Sequence, residues 1–126
     1  SSDLTPTQHM KLIIAIIRPE KLEEVQKALA ERDVYLMTVS DVRGCGMQRG
    51  YTEVYRGTEV NVRLLPKVKL EIAVNEAFVE AAIEAIVHAG RVGETGTIGD
   101  GKIFVLPMDD CVRIRTGERG GEAIGP

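Results

Sequence analysis

Tryptophan is absent from this chain of 126 residues, and only two phenylalanines and three tyrosines are present. So few aromatics leave little with which to stack nucleobases. A strong charge of one sign is missing too: sixteen basic against nineteen acidic residues leave a net charge of −3. Nucleic acid, which usually meets a basic face, is therefore not the expected partner. No apolar run approaches the roughly 18 residues of a membrane span. A soluble, cytoplasmic chain is expected, reaching a membrane only through a partner. The two cysteines, Cys45 and Cys111, form no CxxC pair. Neither a zinc site nor a disulfide framework is indicated, and two free thiols are expected, although sequence alone leaves one bridge open. The two histidines are His9 and His88, with no serine elbow or neighbouring cysteine–histidine pair. Catalytic residues are expected to number none. Asp109-Asp110 reads as a turn rather than as an acid/base pair.

The length suits one domain with a single core. Ser1 to His9 reads as a tag-like or disordered leader, and residues 10–126 as the domain. Lys11 to Ile17 is an apolar run long enough for a buried strand and too short for a helix. Pro19 and the acids after it suit a helix start, with Leu22, Val25 and Leu29 on one face; Asp33 should break this helix after about Arg32. A second strand is expected over Leu36–Arg43. In the third, Val60–Val74, valine, leucine and isoleucine share one parity while Lys67, Lys69 and Glu71 share the other, which buries one face. Pro66 implies an edge or bulge there. Asn75 reads as an N-cap, before a helical stripe of Val79, Ala82, Ile83, Ile86 and Val87 that stops before Gly90. Strands are expected over Lys102–Pro107 and, briefly, Cys111–Arg115, with a mobile Gly-rich tail after Thr116. The order β-α-β-β-α-β defines an α+β, ferredoxin-like sandwich with a short C-terminal strand or tail. The connection from Gly44 to Glu59 is too long for an ordinary hairpin, and loops of that length are usually functional or disordered.

Two glycine loops stand out. Thr95–Val105 crowds Gly96, Gly99 and Gly101 with Asp100 and Lys102 into a turn that runs directly into a strand, and Gly44–Gly50 is the second. Glycines let backbone N–H groups approach an anion, and a lysine adds a point charge. Alone, each loop is also what a tight turn looks like. Arg113 and Arg115 alternate with Val112 and Ile114, and Lys67 and Lys69 alternate likewise. On strands each pair would point one way. Each stripe alone also describes a solvated sheet face. Together with two glycine loops they indicate a site for a polyanion such as a nucleotide.

Four segments in order then carry a resemblance: Thr52-Glu53-Val54-Tyr55-Arg56-Gly57, Leu65-Pro66-Lys67-Val68-Lys69, Thr95–Val105, and Arg113-Ile114-Arg115-Thr116-Gly117-Glu118. From Met10 to about Ile124 the chain resembles the PII signal-transduction proteins of nitrogen and carbon metabolism. The resemblance implies a homotrimer with ATP or ADP in clefts between subunits. Gly46, Gln48, Lys67, Gly99, Asp100, Gly101 and Lys102 would come from one side, and Thr38, Arg113 and Arg115 from the other. It further implies Mg²⁺ bridging ATP and 2-oxoglutarate, with Gln48 supplying an oxygen to the metal and Lys67 pairing with a 2-oxoglutarate carboxylate. The loop from Met47 to Val62 becomes the output element. Tyr51, Tyr55, Arg56 and Thr58 are its candidate contacts with an ammonium transporter or a nitrogen-metabolism enzyme, Arg56 as a plug for a transporter pore.

Some positions depart from the family pattern. Val60 stands where some relatives carry a nucleotidylated tyrosine, and it has no hydroxyl to modify. Thr58, where others carry a phosphorylated serine, is a candidate for phosphorylation. Met47 replaces a residue that is often basic or polar at the phosphates. Gly90–Glu94 makes the approach to the glycine loop about three residues longer than usual, an insertion of small thermodynamic cost. The expected function is a non-enzymatic sensor of nitrogen, carbon and energy status. Its rivals are a slow ATPase using the same cleft and a PII-like module for a different small molecule.

Overall fold

The computed structural model describes residues 9–45, 53–55, 58–60 and 63–125, with backbone alone for 53–55 and 58–60. Strand β1 (Met10–Ile17) buries Met10, Ile13, Ala15 and Ile17. Arg18-Pro19 ends it, and Pro19 opens a 3₁₀ turn (Pro19–Lys21) where its missing N–H costs nothing. Helix α1 (Leu22–Ala30) follows and buries Val25 and Leu29. It stops slightly before Arg32. Asp33 takes a φ of +64°, a left-handed conformation that aspartate tolerates better than most residues. The Val34 N–H then donates to the Leu29 carbonyl at 3.0 Å, turning the chain toward the sheet.

Strand β2 (Thr38–Gly44) leads into the long connection, within which β3 (Glu53–Tyr55) and β4 (Thr58–Val60) form a two-stranded ribbon. The third expected strand thus divides, with Val60 in the ribbon and β5 (Leu65–Asn75) in the main sheet. Pro66 sits opposite Arg43 of β2, beyond the last β1 partner, Val68. Its missing N–H therefore breaks no ladder bond to β1. A 3₁₀ turn (Glu76–Phe78) opens into helix α2 (Val79–Gly90), and β6 (Gly101–Met108) completes the sheet.

The strand order is β2-β5-β1-β6, antiparallel throughout. This is the ferredoxin-like α+β sandwich that the element order predicts. The core lies between the sheet and its two long helices: Ile13, Ala15, Ile17, Leu70 and Ile72 meet Val25, Leu29, Ala82 and Ile86. The other face stays open. Its apolar side chains include Leu12, Ile14 and Ile16, only partly buried, and Phe104 and Leu106, which are 49% and 41% exposed.

The C-terminal segment differs from expectation. Cys111–Arg115 is not a strand: Val112 makes a single antiparallel bridge with Arg119. Between them the Arg113 N–H donates to the Glu118 carbonyl at 2.9 Å and the Gly117 N–H to the Arg113 carbonyl at 2.7 Å. Gly117 and Gly120, with φ of +76° and +74°, fold the chain back too soon for a ladder. The alternation of Val112 and Ile114 with arginines is thus a turn, not a sheet face. Nor is the tail loose. Helix α3 (Gly121–Ile124) buries Gly121 and Ile124 and lies against β5. Asn75, expected as an N-cap, makes no capping bond. Its Nδ2 instead donates to the carbonyls of Gly121 at 3.3 Å and Gly125 at 3.0 Å.

Candidate functional site

The glycine loop spans the gap between α2 and β6. Gly96, Gly99 and Gly101 all have positive φ, at +84°, +103° and +113°. Gly101 is the most constrained, because a Cβ there would fall on the Ile16 carbonyl oxygen. The loop is held from three directions. Lys67 Nζ donates to the Gly99 carbonyl at 2.7 Å, and Arg18 Nη2 to the Ile98 carbonyl at 3.1 Å. The Asp100 carboxylate takes Arg18 Nε at 2.9 Å on one oxygen and the Thr97 and Val92 N–H groups at 2.7 and 3.2 Å on the other. Burial alone would raise the Asp100 carboxyl. The Thr97 N–H, the Arg18 guanidinium and the Val92 N–H outweigh it and hold the group below the usual aspartate range.

Register explains why Lys67 reaches the loop. Ile17 faces Val68 of β5 on one side and Gly101 of β6 on the other. Residues on either side of the central β1 strand therefore meet at one end of the sheet. There Lys67, Lys102 and Arg43 border a cavity of about 630 Å³ floored by Ile16, Leu65 and Phe104, with Gly99 and Gly101 on its wall. A cationic rim over an apolar floor suits a molecule with an anionic end and an apolar body. A cavity of about 660 Å³ lies on the other side of the same loop, lined by Ile17, Ile86, Ile103, Arg91, Asp100 and Lys102; it carries a carboxylate and lacks Lys67 and Arg43. The first cavity has the better chemistry for a polyanion.

The remaining expected residues fall elsewhere. Thr38 lines a separate cavity of about 440 Å³ with Leu36, Met37, Cys111 and Ile124. Thr38 faces Glu71 while Val42 faces Lys67, a separation along β5 of roughly 13 Å at the ordinary strand rise. Arg113 turns toward its own segment: Nη1 pairs with Glu118 at 2.7 Å, and Nη2 donates to the carbonyls of Glu122 and Ala123. Arg115 is exposed in the turn. The structure therefore joins Lys67, Gly99, Asp100, Gly101 and Lys102, and keeps Thr38, Arg113 and Arg115 apart from them within one chain. Gly46, Met47, Gln48, Tyr51 and Arg56 lie outside the described residues. Tyr55, Thr58 and Val60 are placed by backbone alone, in the ribbon where Tyr55 faces Thr58 and Glu53 faces Val60.

Among the described residues no cluster of three His, Cys, Asp or Glu side chains could hold a metal. A cation here would draw on ligand oxygens, as Mg²⁺ at phosphates usually does. Both cysteines are free thiols. No described helix is long and apolar enough to cross a membrane. Arg18 was not among the expected site residues. Its signal is modest: a cation closing an apolar strand whose neighbour across the sheet begins at a glycine loop.

Fold and site together define a ferredoxin-like α+β module in which a glycine loop and two lysines border one cavity. Sequence comparison gives the family. The family model described as nitrogen regulatory protein P-II matches residues 10–118. The chain is 55% identical over 115 residues to the nitrogen regulatory protein P-II of Azospirillum brasilense, covering 91% of this chain and 100% of that protein. It is 52% identical to the nitrogen regulatory protein GlnK1 of Methanosarcina mazei, covering 91% of this chain and 97% of that protein. The structure resembles that of Bacillus subtilis GlnK with a TM-score of 0.76 at 35% identity, covering 91% of this chain and 98% of that one. The chain belongs to the nitrogen regulatory protein P-II family, and its role is nitrogen signalling rather than catalysis.

Proposed function

We propose that this protein senses nitrogen, carbon and energy status by binding ATP or ADP beside the glycine loop, with 2-oxoglutarate entering alongside Mg-ATP. The observation that carries this reading is the convergence of Lys67, Lys102 and the Gly99–Gly101 backbone on one apolar-floored cavity. Loop N–H groups and cations offset phosphate charge. Mg²⁺ would sit among ligand oxygens with Gln48, and Lys67 would exchange the Gly99 carbonyl for a 2-oxoglutarate carboxylate. A homotrimer completes the site. Two features support it: the open apolar sheet face around Phe104 and Leu106, and the division of the expected nucleotide residues into two separate groups. Head-to-tail copies would bring Thr38, Arg113 and Arg115 of one chain to the Lys67 cavity of the next.

The long connection is the output element. Ligands at its base bias its conformation by differential contacts, and its Tyr51–Thr58 tip engages an ammonium transporter or a nitrogen-metabolism enzyme from the cytoplasm. Calorimetric titration of 2-oxoglutarate with and without Mg-ATP tests the sensor. Strong positive coupling is expected, because each ligand must raise the affinity of the other by the same factor. Binding of 2-oxoglutarate that ignores Mg-ATP would overturn the mechanism.

A further inference from the structure

We propose that Asp100 is the positioning residue of the glycine loop, acting on a bound nucleotide only through the backbone it holds, and that Arg91–Glu94 braces its carboxylate from the helix side. This rests on the nucleotide reading above. A loop with three glycines at positive φ is costly to hold in one shape, because glycine loses the most conformational freedom on ordering. Something must hold it, and the Asp100 carboxylate is the common partner of its parts. One oxygen ties the loop to the end of β1 through Arg18. The other collects the N–H groups of Thr97 and Val92, three and eight residues earlier in the chain. The Asp100 N–H also closes the turn onto the Thr97 carbonyl at 3.1 Å.

The segment leaving α2 is part of the same unit. Val92 gives its N–H to Asp100, and its carbonyl accepts from Thr97 Oγ1 at 3.0 Å. Arg91 Nη1 donates to the Glu94 carbonyl at 3.3 Å, closing the bend between them. Two consequences follow for an anion. The Asp100 charge is paired with Arg18, so it does not repel a polyanion as a bare carboxylate would. Each of its oxygens is also engaged by the protein, Oδ1 by Arg18 and Oδ2 by two loop N–H groups, so the carboxylate is oriented into the loop. The extra residues of this connection thus act as a strut that shapes the loop before the ligand arrives.

Asp100→Asn tests this. The amide keeps the size but only one acceptor oxygen, so it cannot receive Arg18 on one side and the loop N–H groups on the other, and the tie between β1 and the loop is lost. In the ligand-free protein, amide hydrogen exchange at Thr97 and Val92 should accelerate about tenfold, the loss expected for one charge-assisted hydrogen bond. The Kd values for Mg-free ADP and for Mg-ATP should rise by the same factor, again about tenfold. Excising Val92-Gly93-Glu94 leaves Arg18 and Asp100 in place and keeps the test available should Asp100→Asn not fold. It should move exchange at Thr97 and both Kd values the same way by a smaller factor. Unchanged exchange at Thr97 in Asp100→Asn overturns the positioning role. Weakening confined to Mg-ATP overturns it as well, because Asp100 would then serve the metal. An excised variant that matches wild type in both readouts overturns the bracing. If wild type binds neither nucleotide, the sensor reading fails, and the exchange measurement alone decides what Asp100 does.

Discussion

Replacing Gly101 with alanine should damage this protein far more than the same change at Gly99, although both glycines belong to one loop and both have positive φ. Gly101 opens β6 opposite Ile17, at a φ of +113°. A Cβ there would fall on the Ile16 carbonyl oxygen and come within 3.3 Å of Ile17 Cα. Both obstacles are backbone of β1, which is fixed between β5 and β6 and cannot step aside. The chain must rotate out of its native φ and give up ladder bonds at the start of β6. Backbone strain of about 1–3 kcal/mol, with about 1 kcal/mol for each lost hydrogen bond, predicts a loss of roughly 3–4 kcal/mol. At Gly99 the φ is +103°, but the Cβ would meet the end of the Arg18 guanidinium at 3.1 Å. A flexible side chain can move, so only the backbone strain of about 1–2 kcal/mol remains. At about 4 °C per kcal/mol for a domain of this size, Gly101→Ala should melt about 12–16 °C below wild type and Gly99→Ala about 4–8 °C below. Thermal and urea melts should be run at one fixed chain concentration, since any assembly makes the midpoint concentration-dependent. A Gly101→Ala variant no less stable than Gly99→Ala would refute the reasoning.

Three further outcomes follow from the same contacts. Lys67→Ala should lower 2-oxoglutarate affinity in the presence of Mg-ATP by about tenfold or more, the worth of one charge-assisted pair. Its melting temperature should stay within a few degrees of wild type, and calorimetry showing normal 2-oxoglutarate affinity would dismiss the assigned role. The Asp100 carboxyl lies below its ordinary 3.8 when folded, so as pH falls the unfolded chain takes up that proton first. The stability it confers is fully present above about pH 4 and is lost as pH drops through the folded value. Melts of wild type and Asp100→Asn from pH 6 to pH 3 should therefore converge toward the acid end, and a gap that widens there contradicts the pairing. Asn75→Ala removes the donor to Gly121 and Gly125, so amides of the α3 segment should exchange roughly five- to tenfold faster, as expected for neutral hydrogen bonds. Unchanged exchange would mean that burial of Ile124 holds α3 alone.

The parts of this fold legible in the sequence are those whose signal is local. The alternation over Val68–Val74 reads as a strand because one face of β5 is buried along its length. Asp33 marks a helix end because its backbone preference acts within a turn, whereas α2 runs one residue further than expected and includes the buried Gly90. The C-terminal segment misleads for the complementary reason: alternating Val112, Arg113, Ile114 and Arg115 satisfies the strand pattern, but a strand also needs a neighbour, and Gly117 and Gly120 turn the chain away from one. Asn75 carries every local mark of a cap, yet its amide is drawn to two carbonyls some fifty positions away. Its Oδ1 is buried without a hydrogen bond among the described residues, so the donor end is the one in use. The same holds at the site. The glycines and lysine of the loop stand close together in the sequence and can be picked out there, whereas the pairing of Arg18 with Asp100 joins residues 82 positions apart and leaves no periodic trace.

What joins the distant parts is the register of β1. Ile17 is the single residue that fixes Val68 on one side and Gly101 on the other. Side chains alternate between the two faces of a sheet, so a slip of one residue between β1 and β5 would carry Lys67 to the helix face and expose Val68 in its place. The buried row of Val68, Leu70, Ile72 and Val74 forbids that slip. At the other edge Gly101 fixes the register of β6 on β1 sterically, since its approach to Ile16 tolerates no side chain. The packing that stabilises the core and the placement of Lys67 beside the glycine loop are therefore one constraint. A substitution deep in β5 can be expected to disturb anion binding through register long before it touches a ligand.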